Sequence, residues 1–284
     1  MQSAARPTPG SAPARVVVTD DSGFMRRIIA SGLEKKGHTI IGEARDGDEA
    51  LALCEKLNPD VLTLDLAMPG LDGLGVLRAM RKAGKEIPVV VVSAFSAAQG
   101  ARAVDALAEG AFELAPKPAV GQPLSDFIYD LDAKVRLAKA SRRQVGVRPR
   151  TRPAARAPQP VAHVQRLTPA TGPKVVAIAC STGGPKALAR LVPQLPSPLG
   201  AGGFIVQHMP AGFTASLAQR LDRDWRLTVK GAAGGEQLAP NTLLMAPGGS
   251  HLRLDADRAR LSDEAPIGAL RPRADLSIVD VAKH

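Results

Sequence analysis

Runs of β-branched apolar residues alternate with amphipathic segments over the first half of the chain. Residues 16–19, 61–66 and 87–92 have the pattern of buried strands, whereas Phe24 to Leu33 places apolar residues at helical spacing. Five strand patterns alternate with five helix patterns, which predicts a parallel sheet covered on both faces by helices. In such a doubly wound α/β domain, functional residues lie beyond the carboxyl ends of the strands.

The same alternation resumes near residue 173. Lys174 to Cys180 has the pattern of a buried strand, which runs into a Ser-Thr-Gly-Gly-Pro turn and a helix pattern from about Lys186. Gly203 to Gln207 predicts the next strand. We therefore expect a second parallel-sheet α/β domain in this half of the chain.

A basic, proline-rich segment separates the two series. The formal net charge is +10, and residues 133–172 carry ten Lys and Arg residues with no Asp or Glu. Self-repelling charge and low apolar content predict a solvated tether, and a nucleic-acid-binding arm is the less favoured alternative. We predict a disordered tail at 1–14, a first domain at 15–140, a linker at 141–172 and a second domain at 173–284.

Composition excludes several classes of protein. No run of 18 apolar residues exists, so we predict no membrane insertion, and Met1 to Ala14 lacks the apolar core of a signal peptide. The two cysteines, Cys54 and Cys180, exclude a disulfide framework and favour a reducing, cytoplasmic setting. Only 6 Phe, 1 Trp and 1 Tyr are present, which argues against a base-stacking nucleic-acid partner.

Charged and hydroxyl side chains stand at the predicted strand ends of the first domain. Asp20 and Asp21 follow the first strand, Asp65 ends the third, Ser93 ends the fourth and Lys117 follows the fifth. Carboxylates that converge on one edge suit Mg²⁺, which prefers oxygen ligands. The alternative is that the acidic pair only caps the next helix and that the lysine lies on the surface.

This domain resembles the receiver domain of bacterial response regulators over about residues 14–135. The resemblance rests on Asp20-Asp21-Ser22, Asp65-Leu66-Ala67-Met68-Pro69-Gly70-Leu71-Asp72-Gly73, Ser93-Ala94 and Pro116-Lys117-Pro118. It implies a flavodoxin-like fold in which Asp65 accepts a phosphoryl group from a histidine kinase.

The resemblance also implies a metal site and a sensing pair. Mg²⁺ would be held by Asp20, Asp21, Asp65 and the backbone carbonyl of Ala67. Ser93 and Lys117 would sense the phosphoryl group. Leu114 stands where the family usually has an aromatic switch residue, so the resemblance implies a different response to phosphorylation.

Ser181 and His208 are the candidate catalytic residues of the second domain. Ser181 lies at a strand-to-helix turn next to a helix N-terminus, where nucleophiles and anion sites occur. His208 follows the neighbouring predicted strand, so the two side chains are expected to approach and to support acyl transfer. The alternative assigns Ser181 to a helix N-cap and His208 to a structural hydrogen bond.

Residues 173–284 resemble the catalytic domain of the chemotaxis protein-glutamate methylesterase family. The matching motifs are Ala179 to Gly184, Gln207 to Thr214, Ala246 to His251 and Arg271-Pro272. The resemblance implies that Ser181 is the nucleophile, that His208 is the general base and that methyl-accepting chemoreceptors are the substrates. It further implies that the unphosphorylated receiver covers the active site.

One departure from that family affects the expected activity. The family's third catalytic residue is an Asp in a later Gly-Met-Gly-x-Asp-Gly segment, and this sequence ends at His284 before such a segment. We therefore expect an incomplete catalytic domain with an exposed sheet edge. Arg273 stands where the family usually has Ser, and Asp275 and Asp280 fall on a helix pattern with an expected structural role.

Three functional hypotheses follow from these patterns. The first is a phosphorylation-activated methylesterase that also deamidates glutamines on chemoreceptors. The second is a non-catalytic receiver that serves as a phosphoryl sink, because the segment with the third catalytic residue is absent from this sequence. The third, a DNA-binding regulator that uses the basic tether, is weak because no helix-turn-helix pattern follows the receiver.

We also expect His251 and His284 to lie on the surface.

Overall fold

The computed structural model describes residues 12–94, 97–118, 121–145, 174–223, 226–267 and 270–283. Most of the predicted tail, the linker from residue 146 onward and His284 lie outside these described residues. Among the helices that the structure describes, none is long and apolar enough to cross a membrane.

The first domain is a five-stranded parallel sheet with the strand order β2-β1-β3-β4-β5. Its strands are β1 (Arg15–Thr19), β2 (Thr39–Ala44), β3 (Val61–Asp65), β4 (Val89–Ser93) and β5 (Glu113–Pro116). Its helices are α1 (Gly23–Lys35), α2 (Gly47–Leu57), α3 (Gly73–Lys82), α4 (Ala97–Glu109) and α5 (Leu124–Val145). The predicted doubly wound fold is thereby confirmed.

Short polar side chains define where three of the helices begin. Ser22 caps α1 by accepting from the backbone N–H of Met25, and Asp46 and Asp72 cap α2 and α3 in the same way. Ser22 and Asp46 closely follow the carboxyl ends of β1 and β2, whereas Asp72 follows β3 after a longer loop. The chain therefore turns sharply at the edge of the sheet where the candidate phosphorylation residues lie.

The second domain has a four-stranded parallel sheet with the order β6-β7-β9-β8 and a separate antiparallel hairpin. Its strands are β6 (Val176–Cys180), β7 (Gly203–Gln207), β8 (Thr228–Gly231), β9 (Thr242–Met245), β10 (His251–Asp255) and β11 (Arg258–Ser262). Its helices are α6 (Gly184–Leu191), α7 (Phe213–Asp222) and α8 (Ala274–Ala282).

Several details differ from the sequence-based expectations. Ala14, which was assigned to the disordered tail, is buried, and its N–H donates to His38. Helix α5 continues to Val145, beyond the predicted boundary at residue 140. Strand β6 was expected to be buried, but it lies at the sheet edge and Ala177 and Ala179 on it are exposed. Each difference depends on tertiary neighbours that a local pattern does not contain.

Several basic residues toward the end of α5 form ion pairs within the first domain. Lys134 and Arg136 form ion pairs with Asp130 and Asp132 one turn earlier on the same helix. Lys139 lies 3.0 Å from Asp60. The described part of the basic segment therefore contributes to the closing helix of the first domain.

The two domains share one continuous apolar core. Helix α4 packs against α7 and α6, and the buried side chains of Val104, Leu107, Leu217 and Leu221 belong to the same apolar cluster as strands β3, β4 and β7. The guanidinium of Arg220 on α7 also pairs with the carboxylate of Asp105 on α4. Helix α4 is thus the main contact of the first domain with the second.

Candidate functional site

Three carboxylates meet at the carboxyl edge of the first sheet. Oxygen atoms of Asp20, Asp21 and Asp65 all lie within 4.8 Å of one another. Asp20 and Asp65 are buried, whereas Asp21 is exposed. The predicted convergence of these residues therefore occurs.

Lys117 reaches across the edge from the end of β5 into this cluster. Its Nζ lies 2.7 Å from Asp20 Oδ2 and 2.7 Å from Asp65 Oδ2. Burial lowers the pKa of Lys117, but its hydrogen bonds with both carboxylates outweigh burial and raise that pKa overall. Burial also raises the pKa of Asp20, against the opposing effect of Lys117.

The donor set of this edge fits a divalent cation. Three carboxyl groups face a single lysine amine, and such a set of oxygen ligands suits a hard dication. Asp65 Oδ1 accepts a 3.3 Å hydrogen bond from the backbone N–H of Ala67. This bond holds the loop of Ala67 next to Asp65, the candidate phosphoryl acceptor. The Ala67 carbonyl is the fourth predicted ligand of Mg²⁺.

Ser93 connects the acidic cluster to helix α4. Its Oγ is buried and donates to Oε1 of Gln99 at 3.3 Å. Gln99 belongs to α4, the helix that packs on the second domain. A phosphoryl group that accepts a hydrogen bond from the Ser93 hydroxyl would therefore compete with the bond from Ser93 to Gln99 on α4.

Ser181 occupies the turn between β6 and α6. Ser181 is exposed, and its backbone carbonyl accepts a hydrogen bond from Gly184 N–H at 2.8 Å. Gly183 has φ +76°, a conformation that favours glycine, and Pro185 follows at the start of the helix. The sequence thus places an accessible hydroxyl beside a helix N-terminus.

His208 lies one strand away from Ser181. Strands β6 and β7 pair in parallel with Cys180 opposite Gln207, and His208 N–H donates to Cys180 O at 3.0 Å. Ser181 and His208 therefore follow directly from two adjacent, paired strand ends. Together with Thr182 they line one cleft of about 530 Å³, so the structure brings the two candidate catalytic residues to a common site.

The opposite wall of this cleft belongs to the first domain. It is formed by residues of β5 and α5, among them Glu113, Leu114 and Phe127. Burial raises the pKa of the Glu113 carboxyl group, against smaller opposing effects that include Thr182 of the second domain. The residue beside the candidate nucleophile thus faces the first domain across the cleft.

The imidazole of His208 is only partly accessible. Its Nε2 atom is buried and has no hydrogen-bond partner among the described residues. Burial lowers the pKa of His208, and the positive charge of Arg273 lowers it further, against a smaller opposing effect of Asp275. The electrostatics therefore favour a neutral imidazole, which is the form that accepts a proton.

The two acidic residues with an expected structural role have cationic partners. Asp275 lies 2.6 Å from the Arg273 guanidinium, and Asp280 makes two hydrogen bonds to Arg253, at 2.6 and 2.8 Å. The Asp280 pair fixes α8 against β10. His251, expected on the surface, is instead buried, and its Nδ1 accepts from the backbone N–H of Arg273.

A close contact between loops shapes the rim of the cleft. A Cβ atom at Gly248 would lie 2.5 Å from Ala211 N and 2.6 Å from Met209 O. Gly248 N–H also donates to Thr214 Oγ1 at 3.0 Å. Only glycine allows this approach. The motif of Ala246 to His251 and the motif of Gln207 to Thr214 therefore pack together beside His208.

Comparison with known proteins identifies both domains. Residues 16–128 match the family model of the response regulator receiver domain, and residues 176–284 match that of the CheB methylesterase. A protein-glutamate methylesterase/protein-glutamine glutaminase of Symbiobacterium thermophilum is 39% identical over 285 residues, covering 95% of this chain and 77% of the relative. The chain belongs to the protein-glutamate methylesterase/protein-glutamine glutaminase family.

Other members of this methylesterase family show the same extent of similarity. The Koribacter versatilis member is 40% identical, with 96% of this chain and 77% of the relative covered. The Thermotoga maritima member is 36% identical, with 95% and 77% covered. The predicted combination of receiver and methylesterase domains is thus confirmed, and the chain is a hydrolase of the chemotaxis methylesterase family.

Two features of this methylesterase were missed by sequence reasoning. Glu113 was not singled out, because nothing in a local pattern shows that β5 faces the second domain. Gln207 was singled out only as a strand end and as the first residue of a family motif, without a role, yet its side chain is buried and bonds to the backbone of both Ser181 and His208. Its place in that motif and its polarity at the end of an apolar strand were the available signs.

Proposed function

We propose that the chain hydrolyses glutamyl methyl esters, and deamidates glutamines, on methyl-accepting chemoreceptors under control of its own receiver. In this proposal a receiver at residues 15–140 is joined by a linker at 141–172 to a catalytic domain at 173–284. The observation that carries the proposal is that Ser181 and His208 line one cleft at two adjacent strand ends. The activity named for the relatives at 77% coverage supports the same reaction.

Ser181 is the nucleophile of the proposed reaction and His208 is its general base. The Ser181 Oγ attacks the side-chain carbonyl carbon of the substrate while its proton moves to the imidazole. Collapse of the tetrahedral intermediate expels methanol, or ammonia from a glutamine, which takes that proton. Water then attacks the acyl-enzyme and releases a glutamate side chain and free Ser181.

The receiver restricts access to the catalytic residues in the unphosphorylated state. Residues of β5 and α5, among them Glu113, form the wall opposite Ser181 and Thr182. A receptor helix about 10 Å wide requires this wall to withdraw. Opening is therefore the step that phosphorylation is proposed to control.

Asp65 is the proposed phosphoryl acceptor, and a histidine kinase is the proposed donor. Asp20, Asp21, Asp65 and the Ala67 carbonyl would hold Mg²⁺, which would supply positive charge to balance that of the phosphoryl group. Lys117 already contacts Asp65 at 2.7 Å and would bind the added phosphate oxygens. The kinase and receptor assignments place the proposed reaction in the cytoplasm.

Recruitment of Ser93 by the phosphoryl group links this event to the cleft. The Ser93 hydroxyl would leave Gln99 on α4, and α4 is the helix that packs on α7. Phosphorylation adds about −1.5 to −2 charge near this helix. The proposed consequence is a shift of α4 that weakens the interdomain contact.

The test is methanol release from methylated chemoreceptor by the 284-residue chain. Ser181→Ala is expected to abolish release. Ser197→Ala, which removes an exposed hydroxyl that contacts Asn241, is the matched control and is expected to retain it. Equal release by the wild-type chain and Ser181→Ala would contradict the assignment of the nucleophile.

A non-catalytic phosphoryl sink is the second candidate function. It is favoured by one observation, namely that His208 Nε2 has no hydrogen-bond partner among the described residues, although this is the type of atom that takes the proton of the serine in such a pair. A chain that accepts a phosphoryl group on Asp65, measured by intact mass, but releases no methanol would support this candidate.

A further inference from the structure

Gln207 lies between the two candidate catalytic residues and bonds to the backbone of both. Its Nε2 donates to Ser181 O at 3.0 Å and to His208 O at 3.0 Å. The side chain is buried at the end of β7. One amide group therefore joins the turn of the nucleophile to the turn of the base.

The orientation of this amide is set by its neighbours. Both groups that Nε2 faces are carbonyl oxygens, so the flipped amide would oppose oxygen to oxygen at two places. The other end of the amide, Oε1, is buried and has no hydrogen-bond partner among the described residues. An unpaired buried acceptor is costly, so a stability role alone is a poor explanation for an amide here.

Gly184 leaves the space that the amide occupies. A Cβ atom at Gly184 would lie 1.8 Å from Gln207 Oε1 and 3.0 Å from Cys180 Cβ. The backbone N–H of Gly184 also donates to Ser181 O at 2.8 Å. The Ser181 carbonyl is thus held from two sides, by the first turn of α6 and by Gln207.

We propose that Gln207 is a positioning residue for the methylesterase reaction, which ties the backbone of Ser181 to that of His208 so that hydroxyl and imidazole stay aligned. The proposal rests on the function proposed above. Gln207 does not touch the substrate in this account and acts only through the two turns. Its contribution is to alignment, and a misplacement of about 1 Å costs roughly 10²-fold in rate.

The experiment measures kcat and KM for methanol release in a double-mutant cycle. Gln207→Ala is expected to lower kcat by about 10²-fold and to change KM by less than about twofold, because substrate contacts are retained. Gly184→Ala, whose new methyl group displaces the amide, is expected to lower kcat as well. In the Gln207→Ala background only the 3.0 Å contact with Cys180 Cβ remains, so the second substitution is expected to lower kcat much less than it does in the wild-type background.

The control is Gln194→Ala, which removes an exposed amide that donates to Arg190 O at 2.6 Å. It is expected to leave both constants unchanged. The proposal is overturned if Gln207→Ala keeps the wild-type kcat, or if it raises KM and lowers the melting temperature with kcat unchanged. Multiplicative effects of the two substitutions at Gly184 and Gln207 would also overturn it.

A second readout separates this proposal from the proposed function. The rate of hydrogen exchange at Gly184 N–H, which bonds to Ser181 O, is compared between wild type and Gln207→Ala. The internal reference is Ala246 N–H, which donates to Ile205 O at 2.8 Å. We expect faster exchange at Gly184 only. If the wild-type chain releases no methanol, the proposed function fails, and unchanged exchange at Gly184 then separately refutes the positioning role.

Discussion

Gly100 on α4 is the point where a small substitution is expected to open the interdomain contact. A Cβ atom at this position would lie 3.0 Å from Ser216 Oγ and 3.4 Å from Gly212 O on the second domain. The two γ-methyl groups of valine have no space between these atoms. Gly100→Val therefore acts as a wedge between the receiver and α7 and replaces neither a phosphorylation residue nor a member of the catalytic pair.

The expected size of the effect follows from the packing cost. Overpacking a close contact costs about 1–3 kcal/mol, and this cost falls on the closed arrangement only. Since about 1.4 kcal/mol changes an equilibrium tenfold, the ratio of open to closed molecules rises about 5- to 150-fold. Methylesterase activity without phosphodonor should rise in proportion until it reaches the fully activated level.

The assay is methanol release without phosphodonor, followed by the same measurement with saturating phosphodonor. The matched control is Gly231→Val on β8, because a Cβ atom there has nothing within 4 Å and the residue lacks a positive φ. Gly231→Val is expected to leave both rates unchanged. The activated rate of Gly100→Val is also expected to equal that of wild type.

A wild-type basal rate in a correctly folded Gly100→Val protein would refute the reasoning. It would mean that the contact between α4 and α7 does not limit access to Ser181. A similar rise in Gly231→Val would refute it as well, because the effect would then not depend on the wedge.

Further predictions concern pH, metal and stability. Because burial and Arg273 lower the pKa of His208, the acidic limb of the pH profile of kcat/KM should lie below 6.5, the ordinary pKa of histidine. Arg273→Ser should move this limb to higher pH. A limb that does not move would contradict the assignment of His208 as the base. Mg²⁺ should raise the thermal stability of the whole chain, by about 2.7 kcal/mol at a hundredfold excess over Kd, and Asp21→Ala should abolish this rise in a melting experiment. Asp280→Ala removes the two hydrogen bonds from the Arg253 guanidinium to Asp280, so the free energy of unfolding should fall by about 3 kcal/mol in a urea titration. A loss under about 0.5 kcal/mol, typical of neutral surface changes, would contradict the structural role assigned to Asp280.

The receiver site was predictable because the sheet itself brings its residues together. Parallel strands end at one edge, so Asp20, Asp65 and Lys117 must converge once the alternation of strands and helices is recognised. The same reasoning located Ser181 and His208 at adjacent strand ends. In each case, local pattern and general topology were sufficient.

The contacts between domains were not predictable in this way. The pairing of Arg220 with Asp105, and the placement of Glu113 across the cleft from Thr182, bring together residues far apart in the chain. Strand β6 has an apolar composition typical of a buried strand, but burial depends on which elements cover it. His251 was misassigned because its bond to the Arg273 backbone depends on how α8 packs.

The most direct test of the account is phosphodonor-stimulated methanol release by the full chain. The account predicts that a small-molecule phosphodonor with Mg²⁺ raises release by the wild-type chain, and that Asp65→Asn retains only the basal rate. Ser181→Ala should show no release under either condition. Stimulation that persists in Asp65→Asn, or release that persists in Ser181→Ala, would contradict the claim that the receiver controls a serine esterase.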